Sequence, residues 1–120
     1  METLAKILIA IVALEHLYIM YFEMFAWETL GKKTFRSFPK ELFAPTKGLA
    51  ANQGLYNGFL AAGLIWSFFI SDPVWSQNIA VFFLGCIITA AIFGAVTASK
   101  RILLVQGTPA VLALLVLLVK

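Results

Sequence analysis

The stretch LAKILIAIVALEHLYIMYFEMFAW, residues 4–27, decides the fold. A helix needs about 20 predominantly apolar residues to cross the roughly 30 Å of bilayer hydrocarbon, and this stretch is long enough. Its apolar run carries Lys6 near the start and Glu15, His16 and Glu23 further in. A cleaved leader does not fit, because Glu15 and His16 interrupt the run, no small-residue cleavage site follows, and the aromatic residues from Tyr18 to Trp27 continue the helix.

Working outward, three more apolar stretches follow, at about 52–70, 77–98 and 102–119. Ser71-Asp72-Pro73 and Ser99-Lys100-Arg101 separate the last three as tight turns, so these spans are expected to be antiparallel neighbours. The expected fold is an all-α membrane protein: a four-transmembrane-helix bundle, helices at about 4–27, 52–70, 77–98 and 102–119, forming a single transmembrane domain over 1–120. Composition agrees. The chain is 62% hydrophobic and 12% charged, against about 25% charged residues in a soluble domain. Cys86 lies inside an apolar span with no cysteine partner and reads as a small core residue.

The one long connection, residues 29–51, interleaves Lys32, Lys33, Arg36, Lys40 and Lys47 with Phe35, Phe38, Leu42 and Phe43, and is broken by Pro39 and Pro45. Such a segment suits the head-group layer, with an amphipathic turn expected after Pro39. It is the basic interfacial loop between helices 1 and 2. The net charge of +3 comes from residues that flank apolar spans, which argues for the lipid bilayer as partner and against nucleic acid. This loop and the Lys100-Arg101 turn hold seven of the nine basic residues. Both are therefore expected on the cytoplasmic side of the inner membrane, with both termini outside.

The chemistry concentrates in the first span. An ionisable group at the centre of a membrane helix costs at least about 2.5–3.5 kcal/mol, so it normally faces protein or a cavity. At 100° per residue Glu23 lies about 20° from His16, Glu15 lies about 100° from it on the same side, and Ile19 falls between. Trp27 extends this wedge, with Tyr18 and Tyr21 nearby. In the second span Asn52, Gln53, Tyr56 and Asn57 occupy an arc of about 140°, and Gly54, Gly58 and Ala62 are expected on the opposite side as a close-packing stripe. Ala90, Ala91, Gly94 and Ala98 form a comparable stripe in the third span. With Thr97, Ser99, Gln106 and Thr108 expected at the same depth, the polar groups suggest a cytoplasm-facing cavity with Glu15 and His16 at its floor.

Glu15, His16, Glu23, Trp27, Asn52, Gln53, Tyr56 and Asn57 are thus the candidate ligand-binding residues. A metal site is not expected: His16 and Glu23 stand about 10.5 Å apart along one helix, too far to share an ion. No P-loop, GxGxxG, HExxH or Ser/His/Asp order is present. No cofactor is implied.

Leu14-Glu15-His16-Leu17-Tyr18-Ile19-Met20-Tyr21-Phe22-Glu23-Met24-Phe25-Ala26-Trp27, followed by Asn52-Gln53-Gly54-Leu55-Tyr56-Asn57-Gly58, resembles domain-of-unknown-function family 1304. The resemblance covers essentially the whole chain. It implies a small polytopic inner-membrane protein with four spans, and it carries over no activity and no functional residue. In length and in a membrane Glu in the first helix the chain is also similar to the small multidrug resistance exporters. It departs from them in having His16 and a second Glu23, and in a strong Lys/Arg bias.

Three functions follow as expectations. The first is binding or transport of a small polar or amphipathic ligand, with Glu15 and Glu23 as acceptors and His16 able to titrate near neutral pH. The second is an intramembrane acid–base enzyme, isomerase-like, acting on a lipophilic substrate through paired carboxylates and His16. The third is a structural membrane subunit in which buried polar groups only fix helix register. A bundle this small is also compatible with a homo-oligomer.

Overall fold

The computed structural model describes residues 1–119, and among them it is all helical, with no strand. Four long helices carry the fold: α1 Thr3–Phe25, α2 Lys47–Ser67, α3 Pro73–Thr97 and α4 Lys100–Leu118. Of these, α1, α3 and α4 are long and apolar enough to cross a membrane. α2 is 21 residues long but is diluted by Lys47, Asn52, Gln53, Asn57 and four glycines.

Several boundaries differ from those expected, among them α2, which ends at Ser67 rather than 70. α2 begins at Lys47 rather than 52, because the polar turn after Pro45 is helical although it is not apolar. α3 begins at Pro73 rather than Gln77. The Asp72 side chain caps it, accepting from the backbone N–H of Val74 (2.9 Å) and Trp75 (3.1 Å), and proline fits the first helical position, where no N–H is needed. α1 ends at Phe25, and a π-turn, Trp27–Gly31, follows.

The chain divides into two compact units, Met1–Glu15 with the residues from Leu60 onward, and His16–Phe59. In the first unit Ala5, Ile9 and Val12 of α1 pack with Leu64 of α2, Ala80, Leu84 and Ile87 of α3, and Ala110, Ala113 and Leu117 of α4. The spacings of three and four residues place each set on one helix face. Small residues allow close approach: the Gly107 Cα stands where an added Cβ would lie 3.3 Å from Ala91 Cβ. At the α2–α3 turn Ser76 Oγ donates to the buried Ser67 carbonyl (2.6 Å), and Ser67 Oγ donates to Leu64 O (2.6 Å).

The second unit closes on an aromatic core. Ile19, Phe22, Trp27, Phe43 and Ala50 are buried, with Phe35 and Phe38 packed against them. A one-turn helix, Lys32–Thr34, and a 3-10 turn, Lys40–Leu42, shape the connection between α1 and α2. The turn expected after Pro39 is that 3-10 turn. The outer surfaces of the helices are strongly apolar: Leu14, Phe25, Phe69, Phe82, Phe93, Val96 and Leu104 are each more than three-fifths exposed.

Candidate functional site

The α1 face that turns inward repeats at four- and three-residue steps: Ala5, Ile9, Val12, His16, Ile19 and Glu23 are all buried. His16 and Glu23 therefore stand where the pattern calls for apolar residues. His16 is 1% exposed and Glu23 3%. In the His16–Phe59 unit, Asn57 Nδ2 of α2 donates to Glu23 Oε1 at 2.7 Å. A hydrogen bond to a carboxylate is among the stronger ones a protein makes.

Gly54 makes that bond possible. A Cβ built on Gly54 would meet Glu23 Cβ at 2.9 Å, Met24 Cγ at 2.9 Å and the Met20 carbonyl oxygen at 3.1 Å. The two backbones can approach this closely only because position 54 has no side chain. Gly58, one turn on, similarly faces the Met20 side chain.

This corrects the expected division of α2. The glycine face and the polar face are not opposed: Gly54 and Asn57 both meet α1. Asn52, Gln53 and Tyr56 are exposed. Of the four polar residues expected from α2, only Asn57 joins the site.

Among the described residues Asn57 and Glu23 make no other polar contact, so the second carboxylate oxygen, Oε2, has no protein partner. The site thus has spare acceptor capacity. The Asn57 carbonyl accepts, as does Oε2 when the carboxylate is ionised, so a matching ligand presents a hydrogen-bond donor. Glu15 is half-buried and belongs to the other unit. There too, Thr97 commits its hydroxyl to Phe93 O (2.8 Å), Ser99 Oγ accepts from the Arg101 N–H (3.2 Å), Gln106 is half-buried and Thr108 exposed.

Trp27, a candidate ligand-binding residue, is part of the packing of the connection. It is buried in the aromatic core, with ring centroids 4.8 Å from Phe43, 5.7 Å from Phe35 and 6.0 Å from Phe38. Its Nε1–H donates to Thr46 Oγ1 (3.0 Å), whose hydroxyl in turn donates to Leu42 O (2.7 Å). Gly31 leaves room for the indole, since a Cβ there would lie 2.8 Å from Trp27 Cε3. Trp27 therefore ties the end of α1 to the start of α2. Thr46 and Gly31 escaped the sequence reading because nothing local marks them. Among the described residues no three His, Cys, Asp or Glu side chains are grouped as a metal ion would require.

A family model described as "Protein of unknown function (DUF1304)" matches residues 10–118. The uncharacterised protein YpaA of Lactococcus lactis subsp. lactis (strain IL1403) is 42% identical over 119 residues, covering 96% of this chain and 97% of that protein. No solved structure matches the chain.

Proposed function

The chain belongs to the DUF1304 family of proteins of unknown function, and from that premise we propose that it is a four-span membrane protein that binds or transports a small polar or amphipathic ligand at Glu23 and Asn57. α2 supplies the fourth span, with Asn57 paired internally and its outer face of Leu55, Phe59 and Trp66 towards lipid. The basic connection and the Lys100-Arg101 turn lie on the cytoplasmic side of the inner membrane. An exterior of exposed leucine and phenylalanine on hydrogen-bonded helices supports lipid as the solvent.

The observation that carries the ligand reading is the incomplete satisfaction of Glu23. A pair that served only to fix register would be expected to close on itself, because an unmet acceptor in an apolar surround is costly. Here a carboxylate 3% exposed accepts one hydrogen bond and keeps its second oxygen in hand. The paired carboxylates and His16 of the enzyme alternative have less support: among the described residues the hydrogen-bond partner of Glu23 is the amide of Asn57.

The test is a thermal-shift screen of the purified chain against small amphipathic amines and alcohols. The expected result is a compound that raises the melting temperature of the wild type and loses that effect in Glu23→Gln and Asn57→Leu. No shift with any such compound, or a shift that Glu23→Gln retains in full, overturns the assignment.

A further inference from the structure

The connection between α1 and α2 is the most basic part of the chain, and the aromatic core gives it a fixed shape. Trp27, Phe35, Phe38 and Phe43 turn inward on one another, with Phe38 and Phe43 at 5.0 Å and 90°. Lys32, Lys33, Arg36, Lys40 and Lys47 are all left exposed. Glu28 and Glu41 lie in the same segment, yet none of the five cations forms an ion pair among the described residues. Arg36 donates from Nε to Lys33 O (3.3 Å), which leaves the two terminal nitrogens of its guanidinium without a protein partner.

Like charges held uncompensated on a rigid scaffold attract anions. The tether says which anions are within reach. α1 ends at Phe25, Lys32 follows after a single π-turn, and Lys47 is itself the first residue of α2. No linker exists to carry these charges away from the membrane surface. The exposed apolar residues beside them, Phe25 (70%), Leu42 (41%) and Leu49 (72%), suit acyl chains and the glycerol layer rather than a polynucleotide.

We propose that this segment is a docking surface for anionic phospholipid head groups, whose phosphodiesters are held by the exposed lysines and by the Arg36 guanidinium. Arginine takes two phosphate oxygens at once and lysine acts as a point charge. The proposal rests on α1 spanning the membrane and is independent of any ligand at Glu23.

The test uses the full chain in phosphatidylcholine vesicles, with Trp66 and Trp75 changed to phenylalanine so that Trp27 is the sole indole donor. Energy transfer is measured to trace dansyl-labelled phosphatidylglycerol and, separately, to dansyl-labelled phosphatidylcholine. The anionic probe is expected to associate about fivefold or more tightly, and the preference should shrink towards parity as salt is raised. It should be lost in K32Q/K33Q/R36Q with helix content unchanged, and kept in Glu23→Gln. Equal transfer to both probes, or a preference that the triple variant retains, overturns the proposal. So does a single-stranded oligonucleotide binding the segment in vesicles that show no lipid preference. Release of the chain from zwitterionic vesicles by alkaline carbonate would instead remove the spanning premise, and the proposal with it.

Discussion

Trp27→Ala is expected to destabilise the His16–Phe59 unit by about 3–5 kcal/mol, the usual cost of truncating a large buried aromatic. The indole touches Phe35, Phe38 and Phe43, and Gly31 is shaped around it. Its loss leaves a cavity at the centre of the core and removes the bond that joins the end of α1 to Thr46. The measurement is a denaturant titration of the purified chain followed by circular dichroism, with trypsin as a local probe. Lys32, Lys33, Arg36 and Lys40 are exposed but sit on a packed scaffold. Cleavage there should become much faster in the variant. Trp27→Phe keeps most of the ring contact and loses the donor to Thr46, so it should cost only about 1 kcal/mol. Unchanged unfolding and unchanged proteolysis in Trp27→Ala would show that the aromatic core does not hold the connection together.

The second large effect concerns the close approach of α1 and α2. Glycine to alanine within a helix normally stabilises by about 0.5–1 kcal/mol. At Gly54 the sign should reverse. The new methyl would fall 3.1 Å from the Met20 carbonyl oxygen, a backbone atom that cannot swing aside, as well as 2.9 Å from Glu23 Cβ. Gly54→Ala is therefore expected to cost about 1–3 kcal/mol through overpacking and to lengthen or break the Asn57–Glu23 bond. Gly48→Ala is the matched control, in the same helix with nothing within 4 Å of the added carbon. It should be neutral or stabilising. A denaturant midpoint for each variant checks both signs, and equal behaviour of the two would contradict the described packing.

Much of the site was legible from spacing alone. His16, Ile19 and Glu23 share a helix face because seven residues make almost two whole turns, and all three are buried together. The cost of burying a lone carboxylate is the physical reason that Glu23 takes an amide of α2 as partner. Which amide answers was not legible. Asn57 lies about 60° from Gly54 on the helix wheel, whereas Tyr56 and Asn52 lie about 160° from it. Only the residue at the near edge of the polar arc turns inward. The wheel gives relative angles within a helix, and it does not say which side meets its neighbour.

The packing inside the connection was not legible for a related reason. Bases alternating with aromatics suit the head-group layer, but the alternation does not say which aromatics pack together. The phenylalanines find one another and Trp27, and the lysines are left facing out. Burial against partners distant in sequence outweighed the local pattern, and no spacing rule marks Thr46 as the acceptor for an indole nineteen residues earlier. The start of α3 is a simpler case. Pro73 after Asp72 signals a helix beginning as well as a helix ending, and the apolar count alone favoured the later start at Gln77.

The central claim is that Glu23 is buried yet keeps one oxygen available to a small molecule. It is tested most directly by reaction with a lipid-soluble carbodiimide, followed by intact-mass and peptide mapping of the wild type and Glu23→Gln. The account predicts an adduct that maps to Glu23, is absent from Glu23→Gln, and is slowed by whichever amphipathic compound stabilises the protein. A Glu23 left unmodified under conditions that label other carboxyl groups of the chain would contradict it, and would make the Glu23–Asn57 pair a closed structural contact.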